Sequence, residues 1–271
     1  MSASALETFD VVVVGGGPTG ATAASDLAKK GRKVLLLDRM GRIKPCGGAI
    51  PPRLIKDFDI PDELLVAKAQ CARMIAPSDK AVDMPIEGGF VGMVDRDQFD
   101  EFLRVRAAKD GAERRTGIFE KLTRDEDGCS VVHYLVRGAK QGVPDQNVAV
   151  RAKAVIGADG AKSGVGRQAI PGAKDVEYVF AYHEIVKVPE NPPAGFDGTR
   201  CDVFYQGTVS PDFYGWIFPH GNTMSIGTGT ADKGFSLRGA VGTLKKQTGL
   251  EDAEMLRHEG CLLYTSDAAD E

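Results

Sequence analysis

Three glycines and an acid define the first chemistry this chain can do. Gly15, Gly17 and Gly20 stand in VVVVGGGPTGATAASDLAKKGRKVLLLD, after the apolar run of Val11 to Val14 and ahead of an Ala-rich stretch. Asp38 closes a second apolar run eighteen residues past Gly20. A pyrophosphate needs bare backbone at a helix N-terminus, where unpaired N–H groups and the helix dipole favour negative charge. Gly15 permits the tight turn after the strand, Gly17 lets the main chain approach the phosphates, and Gly20 lets the helix pack closely on the sheet. Asp38 is placed to accept hydrogen bonds from a ribose, with Thr19 and Arg39 beside the same turn. Strand, helix and terminal acid agree, so the stretch reads as a dinucleotide site. The motif does not select the dinucleotide.

Two further stretches combine small and functional residues. The segment from Ala152 to Ala158 leads into Asp159-Gly160 and then AKSGVGRQ, a buried strand followed by a turn and a short helix beginning near Ser163. It repeats the logic of the first motif, or is a plain strand with an Asp-Gly turn. In YGWIFPHGNTMSIGTGT a hairpin is predicted to turn at His220 to Asn222, which leaves His220 exposed. Tyr214, Trp216 and Phe218 alternate, so a strand puts all three rings on one face, as a core face or as the lining of a ligand channel. Single residues stay open in the same way. Cys46, in KPCGGAIPPRL, is an acid or a small buried filler, since an ordinary thiol is mostly protonated at neutral pH. Arg96, in VDRDQFDEFL, is a solvated helix charge or a fork for a diphosphate.

The elements that must position these residues are legible by period. A first helix runs from the glycine turn to about Lys30 and stops at Gly31, and the second strand is Lys33 to Asp38. The Gly- and Pro-rich loop after Asp38 follows neither period. Short strands are predicted at Ala72 to Pro77, Lys80 to Ile86 and Phe90 to Val94. Asp95 reads as an N-cap for a helix from Arg96 to about Lys109, with Phe99, Phe102, Leu103 and Val105 as its apolar stripe. A strand near Arg115 to Phe119, a strand Ser130 to Val136 and a turn in GAKQGVPDQN follow. Beyond Tyr178 the segments YVFAYHEIVKV and CDVFYQ alternate as an antiparallel layer, and a helix is predicted from about Leu237 to Gln247.

Composition narrows the class. The 271 residues are enough for a sizeable core in one large domain or two. A formal charge of -4 argues against a nucleic-acid partner. The five cysteines, Cys46, Cys71, Cys129, Cys201 and Cys261, are odd in number and widely spaced, which suits a reducing cytoplasm better than a disulfide framework or a metal site. The first ten residues carry no basic and apolar leader, and no apolar run approaches the ~18 residues of a membrane span.

The glycine turn with Asp38-Arg39 and the IGADGAKSGVGR segment resemble the flavoprotein family that contains the aromatic hydroxylases. The aromatic stretch is similar to the Tyr-x-Trp-x-Phe-Pro, then Gly-x-Gly, signature of geranylgeranyl reductases, carried by Tyr214, Trp216, Phe218, Pro219, Gly227 and Gly229. KPCGGAIPPRL resembles the segment of the (bacterio)chlorophyll-pathway members, whose cysteine corresponds to Cys46. The resemblance spans residue 9 to about 258. It implies an α/β (α+β) fold, with a Rossmann-like FAD-binding domain of the aromatic-hydroxylase type over residues 1–170 and an antiparallel-sheet substrate domain over 171–258. Residues 72–94 would join the substrate sheet.

It also implies an activity, the NADPH- and FAD-dependent reduction of geranylgeranyl double bonds to phytyl, on the diphosphate or on a (bacterio)chlorophyll ester. Carried over by position, Gly20 and Asp38 contact the adenosine half of FAD, Cys46-Gly47 approach the flavin through backbone, Arg96 reaches the phosphate region, and Asp159-Gly160 lie near FAD and NADPH. An isolated alkene has no carbonyl to absorb a hydride, so the expected route passes through a cation-like state shielded by the rings of Tyr214, Trp216 and Phe218. Cys46 with these three rings forms the expected catalytic set, and no metal is expected. The partner is a prenyl lipid or pigment, and the location is cytoplasmic with peripheral contact to a photosynthetic membrane. The rival readings are a flavin-dependent aromatic monooxygenase and a non-catalytic prenyl-binding escort. CLLYTSDAADE, at 261–271, resembles the translation of a sequencing adapter. A shortened reading frame with a non-native tail is therefore expected, with the family's later Gly-Asp segment falling beyond it.

Overall fold

A computed structural model describes residues 6–39, 46–138 and 143–264. Parts of three expectations, the loop at 40–45, the turn at 139–142 and the end of the tail at 265–271, lie outside the described residues. In chain order the first elements are β1 (Thr8–Val14), α1 (Pro18–Lys29), β2 (Val34–Asp38), β3 (Ala49–Ile50), α2 (Pro52–Asp57), β4 (Leu65–Ala69) and β5 (Cys71–Ile75). Next come β6 (Ala81–Pro85), β7 (Val91–Val94), α3 (Arg96–Lys109), β8 (Glu113–Thr116), β9 (Ile118–Arg124), β10 (Ser130–Val136) and β11 (Gln146–Gly157). The last are α4 (Gly164–Ala169), β12 (Tyr178–Lys187), β13 (Arg200–Phe204), β14 (Gly215–His220), β15 (Thr223–Thr230), α5 (Leu237–Gln247) and β16 (Met255–Tyr264).

The fold is mixed α/β and divides into two compact units, each with its own sheet. Of the described residues, the first unit takes those up to Arg39 and those between Phe99 and Val176; the second takes Cys46 to Gln98 and those from Glu177 to Tyr264. The division is therefore interleaved, with the described residues 46–98 grouped with the later part of the chain. The reason lies in pairing: β5, early in the chain, lies parallel to β13, Cys71 opposite Arg200 through Ile75 opposite Phe204, so the segment before α3 is bound into the later sheet.

In the first unit the sheet order is β8-β2-β1-β11-β10-β9. β1 pairs in parallel with β2 and β11, and β2 with β8, whereas β10 runs antiparallel to β11 and β9. A parallel strand covered on both faces needs an unbroken apolar run, which is what Val11–Val14 and Val34–Leu37 provide; all eight side chains are buried. Each fully buried Val or Leu contributes about 1.5–3 kcal/mol. α1 turns its smallest residues, Gly20, Ala21, Ala24 and Ser25, to the sheet, so that helix and strands approach closely. The strand expected at Arg115 to Phe119 is two, β8 and β9, broken at Gly117, where a Cβ would stand 2.5 Å from Tyr134 Cδ2. In α3 the buried stripe includes Phe99, Leu103 and Ala107, while Val105 is 38% exposed. At ~100° per residue, position 105 turns away from the line joining 99, 103 and 107.

The second unit is built on a seven-stranded sheet, β16-β12-β15-β14-β13-β5-β6, antiparallel except for the β13–β5 pair, and a three-stranded sheet, β3-β7-β4. β14 and β15 show the alternation of a two-faced sheet. Ile217, Met224 and Ile226 pack with Val241 and Leu244 of α5 in the core, and the intervening residues face the opposite way. Cys261 to Tyr264, the described part of the tail, continue the edge strand that begins at Met255 and pair with Ala181 to Tyr178 of β12. No helix among the described residues is long and apolar enough to cross a membrane.

Candidate functional site

The glycine turn of the first unit has a separate geometric reason at each position. Gly15 has φ +107°, and a Cβ there would press into the Ala158 carbonyl. At Gly20 it would strike the Gly15 carbonyl oxygen, so a larger residue would push α1 off the turn. Gly17 is the N-cap of α1, with no side chain capping the helix and nothing within 4 Å of where a Cβ would stand. The open space before the uncapped helix terminus is the volume an anion needs. Thr19 is exposed in the first turn of α1.

Gly16, which the spacing rule does not use, is required as well. A Cβ there would lie 2.7 Å from Asp38 Cβ and 2.8 Å from Asp38 Oδ2. Arg104 of α3 then ties the two together, its Nη1 donating to the Gly16 carbonyl at 3.0 Å and lying 3.5 Å from Asp38 Oδ2. Glu101 holds Arg104 from its other side at 3.0 Å and pairs with Arg114 at 2.7 Å. The Arg114 guanidinium, with a smaller contribution from Arg104, pulls the Glu101 carboxyl down to about 2. Arg104 was not a sequence candidate, because its partner Gly16 lies 88 residues away.

Gly15, Asp38, Arg39 and Asp159 converge on one cavity of about 380 Å³, lined also by Gly117, Phe119, Lys162 and Gly164. Gly160 follows with φ +89°. The expectation of helix amides at Asp159-Gly160 is met differently. Asp159 itself accepts from Gly164 N at 2.6 Å, Val165 N at 3.2 Å and the Ser163 hydroxyl, and Ser163 Oγ accepts from Gly166 N at 2.8 Å. The start of α4 is thus capped from within the chain, whereas that of α1 is not. An open N-cap, an adjacent acid and a lined cavity fit the adenosine and pyrophosphate part of FAD.

In the second unit the aromatic residues lie in a row. Ring centroids of Tyr214 and Trp216 are 6.1 Å apart, those of Trp216 and Phe218 also 6.1 Å, and Phe213 stacks on Tyr214 at 4.2 Å. Burial raises the Tyr214 phenol above its ordinary range, with Tyr205 adding to the effect, so the ring is a neutral phenol. Two signature glycines make room for the row. At Gly227 a Cβ would overlap the Trp216 indole, and at Gly229 it would stand 2.8 Å from Phe213 Cδ1. Pro219 is buried in β14 beyond the end of its pairing with β13 at Ile217, so its missing N–H breaks no bond of that ladder.

The segment of Cys46 to Gly48 lies against this face. A Cβ at Gly47 would be 3.2 Å from Phe218 Cδ2 and 3.9 Å from Trp216 Nε1. Cys46 is exposed, which removes the buried-filler reading, and its Sγ accepts from Gly48 N at 3.4 Å. His220 is corrected from exposed to buried, at 7%. Its Nε2 lies 2.8 Å from the Gly47 carbonyl, and its Nδ1 is 3.6 Å from Asp95 Oδ1, an ion-pair distance just beyond hydrogen-bond reach. His220 in turn holds the Asp95 carboxyl below the usual range. Gly48, at φ +73°, lets the chain pass the His220 ring. Arg96, the first residue of α3, is half-buried and belongs to this unit.

The same face carries a polar cluster absent from the sequence candidates. Trp216, Gly227, His183 and Glu259 stand opposite one another across β14, β15, β12 and β16. Trp216 Nε1 donates to Ser225 Oγ at 3.1 Å, Ser225 Oγ is 2.9 Å from His183 Nδ1, and His183 Nε2 is 3.1 Å from Glu259 Oε2. Burial pushes the His183 imidazole down, against the opposite pull of Glu259.

A family model described as pyridine nucleotide-disulphide oxidoreductase matches residues 9–191. A geranylgeranyl diphosphate reductase of Rhodobacter capsulatus is 55% identical over 252 residues, covering 93% of this chain and 62% of the relative. A chloroplastic geranylgeranyl diphosphate reductase of Oryza sativa subsp. japonica is 40% identical over 230 residues, covering 81% of this chain and 48% of the relative. This chain thus spans between about half and three fifths of the length of these relatives. Among solved structures, a geranylgeranyl bacteriochlorophyll reductase-like protein from Thermoplasma acidophilum superposes with a TM-score of 0.83 at 26% identity, over 97% of this chain and 68% of that one.

Proposed function

The chain belongs to the pyridine nucleotide-disulphide oxidoreductase family, and we propose that within it the chain serves the FAD-dependent reduction of geranylgeranyl double bonds, with NADPH as the electron source. The observation that carries the reading is the row of Tyr214, Trp216 and Phe218, with Gly227 and Gly229 cleared beneath it. The names of the relatives supply the substrate class: a geranylgeranyl chain as the diphosphate, with the pigment ester as the related form. FAD, when bound, supplies the hydride that one alkene carbon accepts.

The chain's own residues hold the cofactor and prepare the alkene. Gly15, Gly17, Gly20 and Asp38, with Thr19 and Arg39 alongside, are the proposed contacts of the adenosine half; Asp159 lines the cavity that Gly15, Asp38 and Arg39 share, and Gly160 beside it is a further proposed contact. Cys46, Gly47 and Arg96 are the proposed contacts in the second unit. The aromatic row, together with Pro219, excludes water from the prenyl chain. Its ring faces stabilise the positive charge that develops when the other alkene carbon takes a proton, by ~2 kcal/mol once desolvated. The exposed Cys46 thiol is the proposed proton source at Sγ. A lipid substrate brings peripheral contact with a membrane into the same reading.

The test is Trp216→Ala. Prenyl turnover should fall while flavin binding stays intact, and loss of flavin with unchanged turnover per bound flavin would reject the channel role. Oxygen consumption coupled to NADPH oxidation would favour the aromatic monooxygenase instead, and stoichiometric lipid binding indifferent to NADPH would favour the escort.

A further inference from the structure

The polar cluster behind Trp216 has a fixed direction. An indole N–H only donates, so Ser225 Oγ accepts from Trp216 Nε1 at 3.1 Å. Glu259 faces His183 Nε2 at 3.1 Å with a group that accepts, so Nε2 carries the imidazole proton and Nδ1 is left to accept. The Ser225 hydroxyl proton then points to Nδ1, 2.9 Å away. Every proton in the chain is directed from the indole toward the carboxylate. Ser225 and His183 are 0% and 4% exposed, so water does not compete for these bonds, and successive bonds in such a chain polarise one another. The charged or titratable groups around His183 are Glu259 and Arg257 on β16 and His220 on β14.

We infer that Ser225, His183 and Glu259 are a positioning set for Trp216, a one-directional hydrogen-bond relay that fixes the rotation of the indole and enriches its ring in electron density toward a cationic centre. The inference rests on the prenyl-reductase reading for its catalytic consequence, and on the geometry alone for the relay. Without the relay the indole retains its area but loses its fixed orientation, and its N–H becomes an unpaired buried donor. The three residues are spread over β12, β15 and β16, so no sequence motif marks them.

Trp216 is the sole tryptophan, so its emission reports on this site without a label. The experiment titrates that emission with acid in the full chain and in the Ser225→Ala, His183→Asn, Glu259→Gln and His220→Gln variants, with near-UV circular dichroism as the fold check. A protonated imidazole beside an indole quenches it, so one quenching step is expected, with its midpoint below the ordinary histidine range. The step should vanish in His183→Asn, move to lower pH in the isosteric Glu259→Gln, and persist in His220→Gln. Turnover of geranylgeranyl diphosphate should then fall about tenfold in kcat for Ser225→Ala at unchanged KM, the size of one lost buried hydrogen bond. A midpoint in Glu259→Gln equal to that of the parent, or Ser225→Ala turning over at the parent rate, overturns the inference. If the parent chain saturates no prenyl chain while the emission arms behave as described, the prenyl reading fails and the relay stands.

Discussion

Replacing Gly227 by alanine should damage this protein through its contacts with two neighbours, His183 and Trp216. The new Cβ would stand 2.6 Å from His183 Cβ and 2.6 Å from Trp216 Cε2, whereas carbon atoms rest at about 3.5–4.0 Å. Both neighbours would have to retreat by about 1 Å. His183 Cβ is tied to the backbone of β12 and cannot swing away, so the indole must move, and in moving it leaves Ser225. Overpacking of this kind costs about 1–3 kcal/mol and the abandoned hydrogen bond about 1 kcal/mol more, so about 2–4 kcal/mol together. For a chain of this size that corresponds to a fall in Tm on the order of 5–15 °C. Thermal unfolding followed by circular dichroism measures the loss, and the lone tryptophan shows whether the indole has moved. Gly229→Ala is the companion, since its Cβ meets Phe213 and Val179 rather than the indole. It should lower Tm while leaving the emission maximum in place. If Gly227→Ala melts with the parent and emits like it, the packing described for the aromatic face is wrong.

Other expectations follow from the first unit. Gly17→Ala meets no neighbour, so its Tm should stay within a few degrees of the parent while FAD affinity, read by fluorescence titration, falls at least about tenfold, as a Cβ intrudes where the phosphates approach. Arg104→Met removes the tie between the Gly16 carbonyl and Asp38, and urea unfolding should show a loss of about 1–2 kcal/mol. The Glu101 carboxyl is held at about 2 in the fold against an ordinary 4.5, so the stability it contributes is fully present above pH 4.5 and is lost as the pH falls through 2. The urea midpoint of Glu101→Gln should therefore change less between pH 4.5 and 2 than that of the parent.

How much of this could be read in advance depended on whether the signal was local. The unit β1-turn-α1-β2 was legible because parallel strands buried on both faces must be continuous apolar runs and the turn between them must be glycine. The limits of α3, β10 and α5 followed from period and capping, and the shared face of Tyr214, Trp216 and Phe218 followed from alternation. The illegible parts depend on partners far along the chain. His220 sits in a sequence that reads as an exposed turn, and its burial comes from Gly47 and Gly48, 173 residues away in the case of the Gly47 carbonyl. Arg104 looks like one more helix charge until the Gly16 carbonyl is placed beside it. MLRHEGCLLY alternates poorly and becomes β16 because β12 offers it an edge to pair with. β4 and α2 were missed for a simpler reason: LVAKA and PRLIKD are too short for a period to develop, and α2 buries none of its residues.

Whether the flavin-loaded chain reduces a prenyl alkene is decided in a single anaerobic turnover. The chain is loaded with FAD, reduced with NADPH, freed of excess reductant and mixed with geranylgeranyl diphosphate, and both the flavin spectrum and the mass of the lipid are followed. The flavin band should return without oxygen, and the prenyl chain should gain two hydrogens for each flavin reoxidised. A flavin that stays reduced until air is admitted, beside a lipid of unchanged mass, would contradict the prenyl-reductase reading.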